Sequence, residues 1–295
     1  MTELAPNYNS RSINPVTQMD HDLYGFSALP QRKKLQWPNG ASVAMAVVVN
    51  VDYGDLAINP MNLVGFTHRD YGTRVGVFRL MGILDALDIK ASMPISDVLL
   101  TRTPRVVEEA RKRRWELVGH GAKVTQAVSS AMSEADERTY LEGSLATIRQ
   151  TTGTAPRGWL GPGNSESART VKLLAELGYD YTLDWGNDDQ PYDFSVPQGR
   201  LSAVPYSVET SDAAVIQAQS HTPWEYAAAL EDHLETLIAD GEKSGMVMTL
   251  GLQANVSGQP LRAKYIRSFL EQAKASGKVW FATASEIVDA YRDQI

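Results

Sequence analysis

The chain of 295 residues is 43% hydrophobic and 21% charged, the usage of a globular protein long enough to bury an extensive core without cross-links. Its 28 basic and 35 acidic residues leave a net charge of −7, which speaks against duplex nucleic acid or an anionic membrane as partner and suits a small molecule. With no cysteine, a disulfide framework, a thiolate metal site and a Cys nucleophile are all excluded.

Residues 1–36 read as an irregular arm, polar and broken by Pro6 and Pro15, that ends in the basic patch Arg32, Lys33 and Lys34, read as a solvated turn. The first residues have neither the basic start nor the apolar centre of a secretory signal, and no apolar run reaches the ~18 residues of a membrane span. The expected location is therefore the cytoplasm. From Trp37 the pattern becomes regular, and 37–295 reads as one domain. Residues 42–51 (SVAMAVVVNV) form a near-continuous apolar run, the mark of a strand buried on both faces. The spacing predicts a helix over 75–87, a strand at 91–95, a helix over 104–113 and a strand at 115–118. Ser133 precedes a helix to about Gln150, closed by Gly153. Further strands are expected at 155–160, 179–185, 201–206, 246–252 and 279–282. Helices are expected over 165–177, 223–240 and 260–275, with a last one from Ser285. Strands alternating with helices over short links call for a mainly parallel sheet. About eight such units in roughly 250 residues match a distorted (β/α) barrel of seven to eight strands.

Chemistry in such a barrel gathers where the loops converge, at the C-terminal ends of the strands. That rule selects Asn50, Asp52, Tyr53 and Gly54, then Gly119, His120 and Gly121, then Arg157 and Trp159 ahead of Gly161–Pro162–Gly163. It continues with Asp184, Trp185, Asn187, Asp188 and Asp189, with Tyr206, Glu209 and Asp212, and with Gln253 and Asn255. A carboxylate can take a proton from water, and an imidazole can give one to a leaving nitrogen. Each candidate also has a structural reading. Asp52 could cap the next segment, His120 could be a satisfied core histidine, and two of the three loop aspartates could serve only the turn. Trp159 could be core or substrate platform. Arg69, Tyr71 and Arg74 could hold an anionic or amide-bearing ligand, or form a contact between subunits. No dinucleotide fingerprint, P-loop, nucleophile elbow or H-E-x-x-H element occurs.

The ordered segments 35–44 (LQWPNGASVA), 69–79 (RDYGTRVGVFR), 115–121 (WELVGHG), 156–163 (PRGWLGPG), 184–192 (DWGNDDQPY), 204–207 (VPYS), 258–262 (GQPLR) and 278–290 resemble the polysaccharide deacetylase superfamily. They are most similar to its cytoplasmic branch, which includes the metal-independent type of allantoinase and the cyclic imide hydrolases. The resemblance implies a distorted (β/α) barrel and hydrolysis of a C–N bond in an amide, imide, ureide or N-acetyl group. Its deacetylases bind a divalent metal through one Asp and two His, the histidines in an H-x-x-x-H element. Here Asp52 and His120 stand at the first two positions, but Val124 stands at the third. A late Leu-His pair of the family reads Leu252–Gln253.

No cofactor is expected on this pattern; a metal held by Asp52 and His120 would need a replacement ligand such as His68 or His221. The favoured expectation is a metal-free hydrolase of a small nitrogenous compound. In it Asp52 activates water or orients His120, His120 handles the proton, and Arg157 or a backbone N–H holds the oxyanion. Trp159, Asp188 and Asp189 would wall the pocket, and Gln253 would hold the substrate amide. The alternatives are an acid–base isomerase, lyase or decarboxylase on the same barrel, or a ligand-binding subunit without catalysis. The arm and the resemblance both point to a homo-oligomer, with a tetramer as one candidate state.

Overall fold

The Val-rich run forms β1 (Val43–Asn50), buried along its whole length and central to the sheet. The computed structural model describes residues 21–52 and 63–295, so Tyr53, Gly54 and most of the N-terminal arm lie outside the described residues. β1 pairs in parallel with β8 (Met246–Gln253) over eight residues, from Val43 opposite Met246 to Asn50 opposite Gln253. Its other edge takes β9 (Val279–Phe281) along the first half and β2 (Ala91–Ile95) along the second. From β2 the sheet continues through β3 (Glu116–Gly119), β4 (Gly158–Trp159), β5 (Tyr181–Thr182), β7 (Ser202–Ala203) and β6 (Tyr192–Asp193). Among the described residues, only the β6–β7 pair is antiparallel. The expected distorted (β/α) barrel of mainly parallel strands is found, as a curled sheet that closes only part of the way round.

Helices α1 (Leu63–Tyr71), α2 (Val77–Ala86), α3 (Asp97–Arg102), α4 (Pro104–Lys112) and α5 (Glu134–Thr152) come in the first half. The second half adds α6 (Thr170–Glu176), α7 (Pro223–Gly241), α8 (Pro260–Ala275) and α9 (Ala284–Arg292). The period of two along β1 divides the core. Val43, Met45, Val47 and Val49 pack outward with apolar residues of α2 and α8. Ala44, Ala46 and Val48 face inward, with Tyr181, Leu183, Val204 and Tyr206. None of the helices among the described residues is long and apolar enough to cross a membrane.

Three local differences from the sequence expectation have clear causes. The helix expected over 75–87 is the end of a longer helical stretch, with a wide turn at Gly72–Gly76. A Cβ on Gly76 would lie 1.9 Å from the Ala254 carbonyl oxygen, so the close approach to β8's exit needs glycine. The helix expected from Ser165 begins at Thr170, because Glu137 of α5 accepts from the Ser167 and Thr170 hydroxyls and holds 165–169 out of the helix. The barrel is also not sealed by strand pairing. Between β8 and the far edge, irregular chain fills the seam: Val247 N donates to Asp189 O at 2.8 Å, and Ser211 bridges Gly251.

Candidate active site

The inward parity of β1 carries Asn50, and next Asp52, onto the inner face at the strand's C-terminal end. Asn50 Nδ2 donates to the Tyr206 hydroxyl at 3.3 Å inside the barrel. His120 follows β3 directly, its backbone N–H bound to Ile95 O at 3.1 Å. Its neighbours are glycines for a packing reason. A Cβ on Gly119 would lie 3.1 Å from both Trp159 and the Tyr179 hydroxyl, and one on Gly121 would collide with Tyr140. His120 is buried, and its Nδ1 lies 2.5 Å from Leu160 O. A carbonyl only accepts, so Nδ1 carries the proton and Nε2 is the nitrogen left for chemistry. Burial lowers the His120 pKa from its usual value, while the Leu160 carbonyl and the Asp52 charge oppose that shift. Asp52 and His120 thus come together as the strand-end rule expects.

Gln253 ends β8 opposite Asn50, half-buried. Its backbone N–H lies 2.9 Å from both oxygens of Asp212, a wholly buried carboxyl that also accepts from Ser257 N at 3.2 Å. Burial, the largest influence, pushes Asp212 up to about 7. The side-chain oxygen of Gln253 is buried and has no hydrogen-bond partner among the described residues. A buried acceptor left unpaired costs free energy, which a donor on a bound molecule would recover.

At the end of β5, Asp184 accepts from Gly161 N at 2.9 Å on both oxygens and hydrogen-bonds Glu166. Thr182 Oγ1 lies 3.0 Å from Glu166 Oε1 and 3.2 Å from Asp184 Oδ2, and Trp185 Nε1 donates to Glu166 Oε2 at 3.1 Å. Desolvation foremost raises both carboxyls; the charge and hydrogen bond of Glu166 push Asp184 up further, while the hydrogen bond from Asp184 holds Glu166 down. A cavity of about 710 Å³ opens here, lined by Asp184, Trp185, Tyr206, Asn164, Asn187 and Tyr24 among others. Glu166 escaped the sequence reading because 165–177 was read as helix. Its place in the loop after β4 was the signal that could have found it.

Several expected site residues stand elsewhere. Arg157 precedes β4 rather than ending it, so it lies at the opposite pole. There it binds Asp180 at 2.5 Å and Asp289 at 2.6 Å, beside a separate cavity with Lys90, Arg114 and Glu116. It is corrected to a structural ion pair and holds no oxyanion. Trp159 has the outward parity of β4, since Leu160 faces in. It is wholly buried between Tyr140 and Tyr179 and walls no pocket. Asp188 forms a bidentate pair with Arg32 at 2.6 and 2.7 Å, which corrects the pocket-wall role and takes Arg32 out of the solvated patch, where Lys33 and Lys34 stay exposed. Asp189 is exposed, and its carbonyl stitches the seam to β8. Tyr71 OH accepts from Arg79 at 2.5 Å, while Arg69 is exposed and Arg74 is three-quarters exposed beside Asp70. These three do not converge on a ligand. His68 and His221 are exposed, and no group of three or more His, Asp or Glu suited to a metal ion occurs among the described residues. With Val124 at the third ligand position of the family pattern, the donors among the described residues do not fit a three-ligand metal site.

The family model for polysaccharide deacetylase matches residues 62–182, the stretch from α1 through β5 that contains His120, Gly161 and Glu166. The fold extends well beyond that stretch. The crystal structure of PuuE allantoinase is 24% identical, with a TM-score of 0.83, covering 94% of this chain and 98% of that one. A probable polysaccharide deacetylase from Pseudomonas aeruginosa PAO1 is 23% identical, with a TM-score of 0.81 over 90% of this chain and 95% of that one. A Schizosaccharomyces pombe protein carrying the polysaccharide deacetylase name is 23% identical over 298 residues, 86% of this chain and 92% of that protein. The deacetylase–allantoinase likeness expected from the sequence is therefore found.

Proposed function

We propose that this protein hydrolyses a C–N bond of a small nitrogenous compound, an amide, imide or ureide, by acid–base catalysis at Asp52 and His120 without the family's metal. The observation that carries the reading is His120 itself. Its Nδ1–H is committed to the Leu160 carbonyl, burial favours the neutral ring, and the Asp52 charge lies close enough to act on it. A neutral imidazole with Nε2 free is a general base. In this account Nε2 takes a proton from water as the water oxygen bonds to the substrate carbonyl carbon. The C–N bond then breaks, and the same proton passes to the departing nitrogen. Asp52 stabilises the imidazolium between the two transfers. The unpaired Gln253 oxygen suits a substrate N–H, which amides, imides and ureides offer. The allantoinase among the fold relatives supports the ureide end of that range. The cytoplasmic location and the homo-oligomer expected from the sequence belong to the same reading.

A second reading is a binding subunit without turnover. The missing histidines at 124 and 253 favour it, and a pseudoenzyme of Bacillus anthracis shares the fold at a TM-score of 0.53. The test is chelator-treated protein against a panel of amides, cyclic imides, ureides and N-acetyl sugars, with products identified by mass. Mass gain of one water on a small imide or ureide supports the proposal. Activity that requires added metal, confined to acetylated sugars, would replace it with a true deacetylase. Saturable binding without turnover would favour the second reading.

A further inference from the structure

The inner end of the N-terminal arm is built into the mouth of the barrel. Ser195 N donates to Leu23 O at 2.7 Å, which clips the arm to the chain just after β6. The next residue, Tyr24, sets its ring nearly perpendicular to Trp185, with centroids 5.9 Å apart, and lies 5.0 Å from the ring of Tyr192. Asn187 ties the tyrosines together. Its Nδ2 donates to the Tyr24 hydroxyl at 3.1 Å, and its Oδ1 accepts from the Tyr192 hydroxyl at 2.9 Å. Tyr24, Trp185 and Asn187 all line the 710 Å³ cavity, so a residue read from the sequence as irregular arm is part of that wall.

The cavity adjoins the reacting groups on two sides. Tyr206, on its wall, accepts from Asn50 of β1, two residues before Asp52. Asp184, also on its wall, takes the N–H of the 160–161 peptide, whose carbonyl holds His120 Nδ1. The volume lies in the range of roughly 300–1,000 Å³ that takes a drug-sized ligand, more than a bare imide or ureide ring fills. Two rings at right angles form a corner in which an aryl group can stack on one and meet the other edge-on. Among the described residues no Lys, Arg or His lines this cavity, whereas the carboxyl-bearing Glu209 does, so an anionic substituent finds no counter-charge there.

We propose that Tyr24 is a specificity-determining residue: with Trp185 it forms an aromatic subsite for a neutral aryl substituent on the amide, imide or ureide hydrolysed at Asp52 and His120. The subsite rests on that catalytic reading for the position of the scissile bond. The aryl group meets no reacting atom, so its contact with Tyr24 acts on binding and leaves the chemical step alone.

The test titrates the full-length protein with three probes that share one cyclic ureide core: hydantoin, 5-benzylhydantoin and hydantoin-5-acetic acid. Binding is followed at the indole N–H of Trp185 in ¹H–¹⁵N spectra, a signal assigned with Trp185→Phe. 5-Benzylhydantoin should bind roughly 10-fold or more tightly than hydantoin, as burial of a benzyl group gives, and should shift the Trp185 signal. The acid should bind more weakly than the benzyl compound. Tyr24→Ala should weaken 5-benzylhydantoin roughly 2–10-fold, the size of one aromatic contact, and leave hydantoin unchanged. Tyr24→Phe keeps the ring and loses the bond to Asn187; it should bind like wild type, which a role confined to anchoring the arm would not predict. Equal affinity for the three probes overturns the proposal, as does no binding of 5-benzylhydantoin, or equal weakening of hydantoin and its benzyl derivative in Tyr24→Ala. Should Tyr24→Ala not fold, the wild-type probe series decides. Aryl-selective binding without turnover sustains the subsite and removes the catalytic reading, whereas turnover without aryl preference keeps that reading and overturns the subsite.

Discussion

Replacing Asp212 by asparagine separates the charge of this buried group from its shape. The carboxyl has no exposure, accepts from Gln253 N and Ser257 N, and is pushed from 3.8 to about 7, chiefly by burial. The native state therefore keeps this proton at pH values where the unfolded chain has released it. Its contribution to stability is complete below pH ~4 and is lost as pH rises towards ~7. At about 1.4 kcal/mol per pH unit, the loss from pH ~5 to pH ~7 is about 3 kcal/mol. The carboxamide of Asp212→Asn would not titrate. It would keep an acceptor for Gln253 N and leave Ser257 N unpaired, at about 1–3 kcal/mol at any pH. Urea unfolding of both proteins, followed by Trp fluorescence at pH ~5 and ~8, reads the difference directly. The wild-type advantage should shrink by about 3 kcal/mol on going to the higher pH, and could reverse in sign. A gap that stays constant or widens with pH would refute the reasoning.

Gln253→His restores a histidine of the family pattern, yet should impair native activity, because the amide supplies an acceptor and a donor that a single imidazole cannot match; initial rates on the true substrate check this. Trp159→Ala should cost about 3–5 kcal/mol in denaturant unfolding, as a fully buried aromatic does on truncation. Arg157→Ala should leave kcat unchanged and shift stability by no more than about 1 kcal/mol, since its ion pairs are solvent-exposed.

Much of the fold is legible because β1 and β8 are apolar on both faces and the helices carry their own stops. Ser133 and Thr222 cap α5 and α7, and Gly153 closes α5 at φ 80°. Asp52, His120 and Gln253 follow from strand ends plus alternation. The same alternation would have turned Trp159 outward, since Leu160 shares the inner face with Val118 and Val204. Arg157 misled because β4 is only two residues long and starts after it. The placing of Asp188 and Asp189 was illegible for another reason: their partners are Arg32 and Val247, distant in sequence, and they draw these two residues down the seam. Glu166 was hidden by a helix that Glu137, also distant, prevents from starting.

The central claim is that Asp52 and His120 act together on a C–N bond. Its most direct measurement is turnover of chelator-treated wild type, His120→Ala and Asp52→Asn on the first active amide, imide or ureide. Both variants should stay folded and lose roughly 10²–10⁴-fold in kcat. Turnover within a few-fold of wild type in folded His120→Ala would contradict the account.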